Sequence, residues 1–222
     1  MWGKQTSTQS NGLVICGRIF RPSCDEGRLR SRLITEKLRP GLAVLFVGFN
    51  PSLTSYERGF NYAGRSNRFY RILFESGLTA RQYAPEESPN LLDDYQYGFT
   101  NLVARPTQRA DELSRVEYRE GAHILRQKLK EFAPRVACYV GKGVYEHFTG
   151  RRKVMWGVQK LSEVPGVIDF VGPSSSGLVR MTLAAQVEIY TGLAELLQCD
   201  TGTAAANAAD SLGASGASDL NR

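Results

Sequence analysis

The chain has 222 residues, 42% of them hydrophobic, which is enough for one domain with its own core and too large to need disulfide or metal staples. Its formal charge is +6 although the last stretch sets Asp200, Asp210 and Asp219 against Arg222, so the remainder is more basic still and suits a polyanionic partner without requiring one. No apolar run approaches the roughly 20 residues of a membrane span, the opening MWGKQTSTQSNG is too polar for a signal peptide, and Cys16, Cys24, Cys138 and Cys199 form no C-x-x-C pair near His123 or His147, which argues for an intracellular protein with reduced thiols and against zinc or iron–sulfur sites.

Residues 1–25 are expected to be a partly ordered arm: 1–11 lack apolar periodicity, and 13–16 read either as a short strand or as an apolar segment packed on the domain. Leu29, Leu33 and Leu38 recur near helical spacing among charged residues, predicting an amphipathic helix over 26–38 that Arg39-Pro40-Gly41 ends. Residues 43–47 have the length and flanks of a buried parallel strand. Gly48-Phe49-Asn50-Pro51 then sets a neutral amide at the carboxyl end of that strand, the edge of an α/β sheet where ligands bind, and Pro51 biases Asn50 toward an extended conformation. A polar loop to Arg65 follows. The next helix is predicted with Ser66 as cap, Phe69, Ile72 and Leu73 on one face, and Gly77 as its stop.

Residues 81–94 read as an irregular connection and 99–103 as a strand. Ser114 and Glu117 form a capping box that opens a long helix with Tyr118, Ala122, Leu125, Leu129 and Phe132 as its buried stripe and Pro134 as its end. Residues 136–140 are the next strand, Gly141-Lys142-Gly143 a tight turn, 144–148 a short helix and 167–171 a further strand. The last helix is predicted over 182–197, with Leu183, Val187, Tyr190, Ala194 and Leu197 inward. Residues 200–222, almost all Ala, Gly, Ser, Thr and Asp, read as a disordered tail. Alternating strands and helices predict an α/β domain over 26–199: a three-layer α/β/α sandwich with a mostly parallel central sheet, both Gly48 and Ser174 loops meeting at one edge.

Two motifs in order carry a resemblance. Gly48-Phe49-Asn50-Pro51-Ser52-Leu53, then Gly59, Tyr62 and Asn67-Arg68-Phe69, resembles the first motif of the mismatch-specific uracil/thymine-DNA glycosylases, G-I-N-P-G-L followed by G-x-x-Y/F and N-x-F-W. Pro173-Ser174-Ser175-Ser176-Gly177-Leu178-Val179-Arg180 is similar to the second, P-N-P-S-G-L-S-R in one branch and P-S-S-S-A-R in another. Gly98-Phe99-Thr100-Asn101-Leu102-Val103-Ala104-Arg105 and Val140-Gly141-Lys142-Gly143-Val144-Tyr145-Glu146 resemble family segments between them.

The resemblance implies a uracil-DNA glycosylase-like fold and a monofunctional DNA repair glycosylase that removes uracil, or in a wider range thymine and other modified pyrimidines, opposite guanine in duplex DNA. No metal or organic cofactor is implied, and the partner would be double-stranded DNA with a G·U or G·T pair, met by a monomer. By resemblance Asn50 holds the attacking water, while Phe49, Tyr62, Asn67 and Ser52 surround the base. Ser174, Ser175, Ser176, Gly177, Leu178, Val179 and Arg180 would meet DNA, with Leu178 as the wedge and Arg65 and Arg68, besides Arg58, as phosphate contacts.

The chemistry fits these residue types. A flipped pyrimidine needs a water held below C1′ and a filler for the hole it leaves. A neutral amide orients water but cannot act as a strong general base, so the leaving group must do most of the work. Each residue also has a plainer reading. Taken alone, Asn50 is an Asx-turn residue, Tyr62 a core plug, Asn67 a first-turn helix residue, the serine run a flexible loop and each Arg a solvated charge. Ser52 replaces the usual Gly, Phe49 an aliphatic residue, and Asn61 stands where relatives carry His or Pro; these departures bear on substrate range. Lys142 between glycines lacks the G-x-x-x-x-G-K-[ST] pattern of a triphosphate site. Arg151-Arg152-Lys153 with Trp156 reads equally as a DNA-backbone contact and an exposed turn. The rival functions are a catalytically silent mismatch- or abasic-site DNA-binding protein on this fold, and an unrelated α/β small-molecule enzyme.

Overall fold

The computed structural model describes residues 36–213, so the arm expected over 1–25 and most of the helix expected over 26–38 lie outside the described residues. Lys37 is not helical: it exchanges two backbone hydrogen bonds of 2.9 Å with Phe99 at the sheet edge.

Five strands form one sheet: β1 (Val44–Gly48), β2 (Tyr97–Asn101), β3 (Val136–Val140), β4 (Gly157–Val158) and β5 (Ile168–Gly172). Their order is β2-β1-β3-β5-β4; the first four are parallel, and β4 alone runs antiparallel, beside β5. The period of two sorts side chains into two cores. Leu45, Val47, Ala137, Tyr139 and Val171 face α4 (Arg115–Phe132) and α5 (Lys142–Thr149). Val44, Phe46, Cys138, Val140 and Phe170 face α2 (Phe69–Glu75), α3 (Asn90–Tyr95) and α6 (Leu183–Gly213). The α/β/α layering is therefore as expected: a mostly parallel sheet covered by helices on both faces.

Local chemistry explains the boundaries. Ser114 and Glu117 cap α4 reciprocally, as the capping box predicts. Gly121 lies on its buried face because a Cβ there would collide with the Leu102 carbonyl, while Phe132, expected inward, is half-buried. Several details differ from expectation. A short helix, α1 (Leu53–Arg58), occupies part of the expected loop and is capped by Ser52, whose oxygen accepts from Ser55 N at 3.2 Å. Ser66 does not cap α2; the Asn67 side-chain oxygen takes Phe69 N at 3.0 Å instead. Residues expected to be irregular include a 3₁₀ turn at Pro85–Glu87 and α3. In α6 the inward stripe runs through Gln186 rather than Val187, and its packing ends with Leu193 and Ala194 buried and Leu196 and Leu197 half-buried. The α6 backbone continues helically to Gly213, across part of the expected tail; 214–222 lie outside the described residues.

Candidate active site

Four parallel strands end at one edge, and the two motif loops leave from β1 and β5, on either side of β3. There they enclose a cleft of about 200 Å³ lined by Gly48 to Ser52, Ser55, Asn61, Tyr62, Asn67, Asn101, Val140 and Ser174 to Ser176. The two stretches, more than a hundred residues apart in sequence, are thus walls of one hollow. A second, larger hollow of about 510 Å³ shares Tyr62 and Asn67 but does not reach Asn50. The smaller one is where both motif loops meet.

Asn50 is fixed by the segment that follows β2. Leu102 N and Val103 N donate to the carbonyls of Gly48 and Phe49 at 2.8 Å, and Thr107 N to that of Pro51 at 3.2 Å, laying this segment against the first motif. Asn50 Nδ2 then donates to the Arg105 carbonyl at 2.9 Å and to Thr107 Oγ1 at 2.7 Å. The Thr107 hydroxyl spends its single proton on the Arg109 carbonyl at 2.7 Å, so toward Asn50 it can only accept. Both neighbours are acceptors, which agrees with the amide's orientation: nitrogen toward Arg105 and Thr107, and Oδ1 without a hydrogen bond among the described residues, on a side chain that lines the cleft.

Tyr62 adopts a positive φ of 52°, uncommon for a residue with a side chain. Its ring stacks on Phe69 with centroids 3.9 Å apart and planes 14° from parallel, so one aromatic face is backed by the core while the ring lines the cleft. Burial holds its phenol well above the ordinary value of 10.0, so it stays neutral. A Cβ on Gly48 would sit 2.6 Å from Asn101 Oδ1 and 3.6 Å from Tyr62 Oη; glycine makes room for both. Asn67, with Oδ1 committed to Phe69 N, keeps its amide nitrogen without another hydrogen bond among the described residues.

The serine loop is anchored from below. Pro173 O accepts from Tyr190 Oη at 2.9 Å, Ser174 O from Gln186 Nε2 at 2.8 Å, and Ser175 O from Arg68 N at 2.9 Å. Leu178, by contrast, is 92% exposed, its N–H held by Ser176 Oγ at 3.3 Å. The cleft lining contains no carboxylate and no histidine. Its chemistry is that of amides, hydroxyls and main chain, which can orient and polarise but cannot take up a proton at neutral pH.

The model of the uracil DNA glycosylase superfamily matches residues 36–197. The chain belongs to that superfamily. Membership makes it a DNA glycosylase of base excision repair that acts on uracil, a hydrolase whose substrate is DNA. No described helix is long and apolar enough to cross a membrane.

Within this uracil DNA glycosylase framework the expected residues separate into groups. Asn50, Ser52, Tyr62, Asn67, Ser174, Ser175 and Ser176 meet at the cleft. Phe49 contributes to the lining, but its ring packs edge-on against Tyr118 and His147, and a Cβ on Gly143 would lie 2.7 Å from it. That packing accounts for Gly143, which lies in the first turn of α5 rather than in the tight turn expected at 141–143. Ser52, at the cleft's rim, is exposed and caps α1. Arg65 and Arg180 are exposed and carry no hydrogen bond or ion pair among the described residues. Arg58 and Arg68 are engaged: Arg58 with the Ala63 carbonyl at 2.8 Å and with Glu86, Arg68 with the Met181 carbonyl at 3.0 Å and Gln186 Oε1 at 3.3 Å. Arg68 therefore ties the serine loop to α6.

Thr107 and Asn101 escaped the sequence reading of the site. Asn101 ends a recognisable strand, and its place beside Gly48 follows from the parallel register. Thr107 has no such signal, because its role exists only once the two loops lie side by side.

Proposed function

We propose that the enzyme excises uracil mispaired with guanine from duplex DNA by extruding the nucleotide into the Asn50 cleft and hydrolysing its glycosidic bond with a water held on Asn50 Oδ1. The observation that carries this reading is the locked amide, with both N–H groups committed to Arg105 and Thr107, on a residue that lines a cleft shared with the serine loop. The C1′–N1 bond breaks with its electron pair leaving on the base. The water oxygen then bonds C1′, and the proton it sheds goes to the departing base or to solvent. With no proton acceptor in the lining, bond breaking runs ahead of attack, and bases that leave readily are favoured.

Recognition falls to the residues around that water. Tyr62 offers its ring for stacking on the extruded base, a contact of about 1–3 kcal/mol, and the free Asn67 amide nitrogen suits a pyrimidine carbonyl. Leu178 occupies the vacancy in the stack, offsetting part of the few kcal/mol that unstacking costs. Ser174 to Gly177 let the backbone approach phosphate and the orphaned guanine, while Arg65 and Arg180 meet phosphates.

A panel of duplexes with one G·U, G·T or A·U pair, and single-stranded uracil DNA, tests this. Heat-labile abasic product from G·U at a rate well above A·U is expected. Equal rates on all uracil substrates would remove the mismatch requirement. Retention of G·U duplex without cleavage would make the protein a silent binder.

A further inference from the structure

The excursion between α5 and β5 carries chemistry the base cleft does not use. From His147 to Ser162 the sequence has four cations, Arg151, Arg152, Lys153 and Lys160, and no acidic residue. Elsewhere the fold tends to pair its cations: Arg39 with Asp93, Arg71 with Glu75, Arg81 with Glu87, Arg105 with Glu117, Arg126 with Glu163. Arg151 follows that habit, donating to the Tyr145 hydroxyl at 2.7 Å and facing Glu163 at 3.5 Å. Lys153 does not: it is exposed and carries no hydrogen bond or ion pair among the described residues. Neither does Lys142, whose ammonium lies 4.4 Å above the Trp156 ring with no carboxylate partner among them.

Topology decides where these groups sit. Because β4 is antiparallel to β5, with Gly157 opposite Val171 and Val158 opposite Phe170, the residues just before Gly157 lie at the end of β5 from which the serine loop departs. Lys142 opens α5 at the same edge: Gly141 N donates to Gly172 O at 2.8 Å, and a Cβ on Gly141 would be 3.6 Å from Ser174 Cβ. The ridge is held in shape. Val154 is buried beneath it, and Gln159 Nε2 ties the carbonyls of Met155 and Gly157 at 2.9 and 2.8 Å. On this pinned turn Met155 is 72% exposed, an apolar side chain offered outward beside two unpaired ammonium groups.

We propose that Lys142, Lys153, Met155 and Trp156 form a second contact with the substrate, on the sugar–phosphate backbone of duplex flanking the extruded nucleotide. Met155 and Trp156, which lead into β4, stand three strand spacings from β1, about 14 Å across the sheet edge, and Lys142, which follows β3, lies with its ammonium over the Trp156 ring. Such a separation is too large to touch the base in the Asn50 cleft, yet within reach of a duplex that carries a charge per roughly 1.7 Å of its axis. The two ammonium groups neutralise phosphates, and Met155 covers sugar. This extends the proposed function, since it takes the same duplex as ligand, but it does not depend on which base is excised.

The test is the salt dependence of binding to a duplex containing a stable abasic-site analogue, for the wild type and two doubly substituted proteins. Lys142→Gln with Lys153→Asn removes both charges; asparagine is chosen because Lys153 has φ of 62°, which Asn adopts more readily than most residues. Lys130→Gln with Lys160→Gln removes two exposed charges at the opposite edge of the sheet, in the last turn of α4 and after β4. Each lost phosphate contact flattens the plot of log K against log salt by about 0.9, so the ridge variant should fall about 1.8 below the wild type and the control should not. Equal slopes for both variants, or an equal drop in both, would overturn the ridge. Uracil release from a G·U duplex by the wild type, run alongside, separates the two readings: excision with equal slopes rejects the ridge alone, whereas a ridge-specific slope change without excision keeps the surface and rejects the glycosylase mechanism.

Discussion

Gly177 packs against Ser66 so closely that a Cβ on Gly177 would lie 2.6 Å from both Ser66 Cβ and Oγ and 2.8 Å from the Ser66 backbone oxygen. This approach, with the hydrogen bond from Arg68 N to Ser175 O, clamps the two motif loops together. Gly177→Ala is therefore expected to push the serine loop off the first motif at an overpacking cost of about 1–3 kcal/mol. Thermal unfolding and single-turnover uracil release should both show it, the second more strongly. An alanine variant with wild-type values in both would mean that the loops adapt freely and the cleft is not set by this contact.

The chain from Asn50 through Thr107 to the Arg109 carbonyl makes a graded prediction. Asn50→Ala removes the water's acceptor and should lower the single-turnover rate by about two orders of magnitude or more, since small misplacements cost that much, while duplex binding stays near wild type. Thr107→Val keeps the shape but leaves one Asn50 N–H unsatisfied, worth about 1–3 kcal/mol. The rate should drop about 5- to 150-fold with little change in KM. Thr107→Ser should restore it. If valine and serine behave alike, the hydroxyl does not orient the amide.

What could be read in advance follows the physics of each element. The four parallel strands and α4 were legible because their signals are local: short apolar runs, and Ser114 three residues before Glu117; β4 was not, because Gly157–Val158 is two residues long and exists only by pairing with β5. The α1 helix was not, since its residues Leu53–Arg58 are too few to show a period and bury only Ser55. Gln186 was missed on the inward face of α6 because a buried amide is unfavourable until the Ser174 carbonyl and the Arg68 guanidinium are there to satisfy it. The motif loops could be named from sequence, but their meeting in one cleft depends on strand order. Thr107 depends on a contact between loops, which no spacing announces.

Titration should be silent at the site and visible in the fold. The lining offers nothing that ionises between about pH 6 and 9, so the single-turnover rate should be flat there; a limb with a midpoint in that range would require a titrating group the cleft lacks. At alkaline pH the buried phenols of Tyr62, Tyr139 and Tyr190 are held well above 10.0 by desolvation. The unfolded chain ionises them near 10, whereas the folded chain keeps their protons. The stability linked to them is intact below that value and is lost as pH rises above it. Urea midpoints measured from neutral pH upward should hold steady and then fall steeply above about pH 10.

Leu178 allows a clean separation of function from stability. With the side chain 92% exposed, Leu178→Ala removes almost no buried surface, and its unfolding free energy should stay within about 0.5 kcal/mol of wild type. On DNA the same side chain would be buried in the gap left by the extruded base, and burying a leucine is worth about 1.5–3 kcal/mol. Release from an abasic product duplex should then be about 10- to 150-fold faster in the alanine variant. Leu178→Met should dissociate at a rate near the wild type, because a long apolar chain still fills the gap. Stopped-flow dissociation decides between the wedge and a bystander: identical release rates for leucine and alanine would leave an exposed hydrocarbon on a clamped loop with no part in holding the helix open.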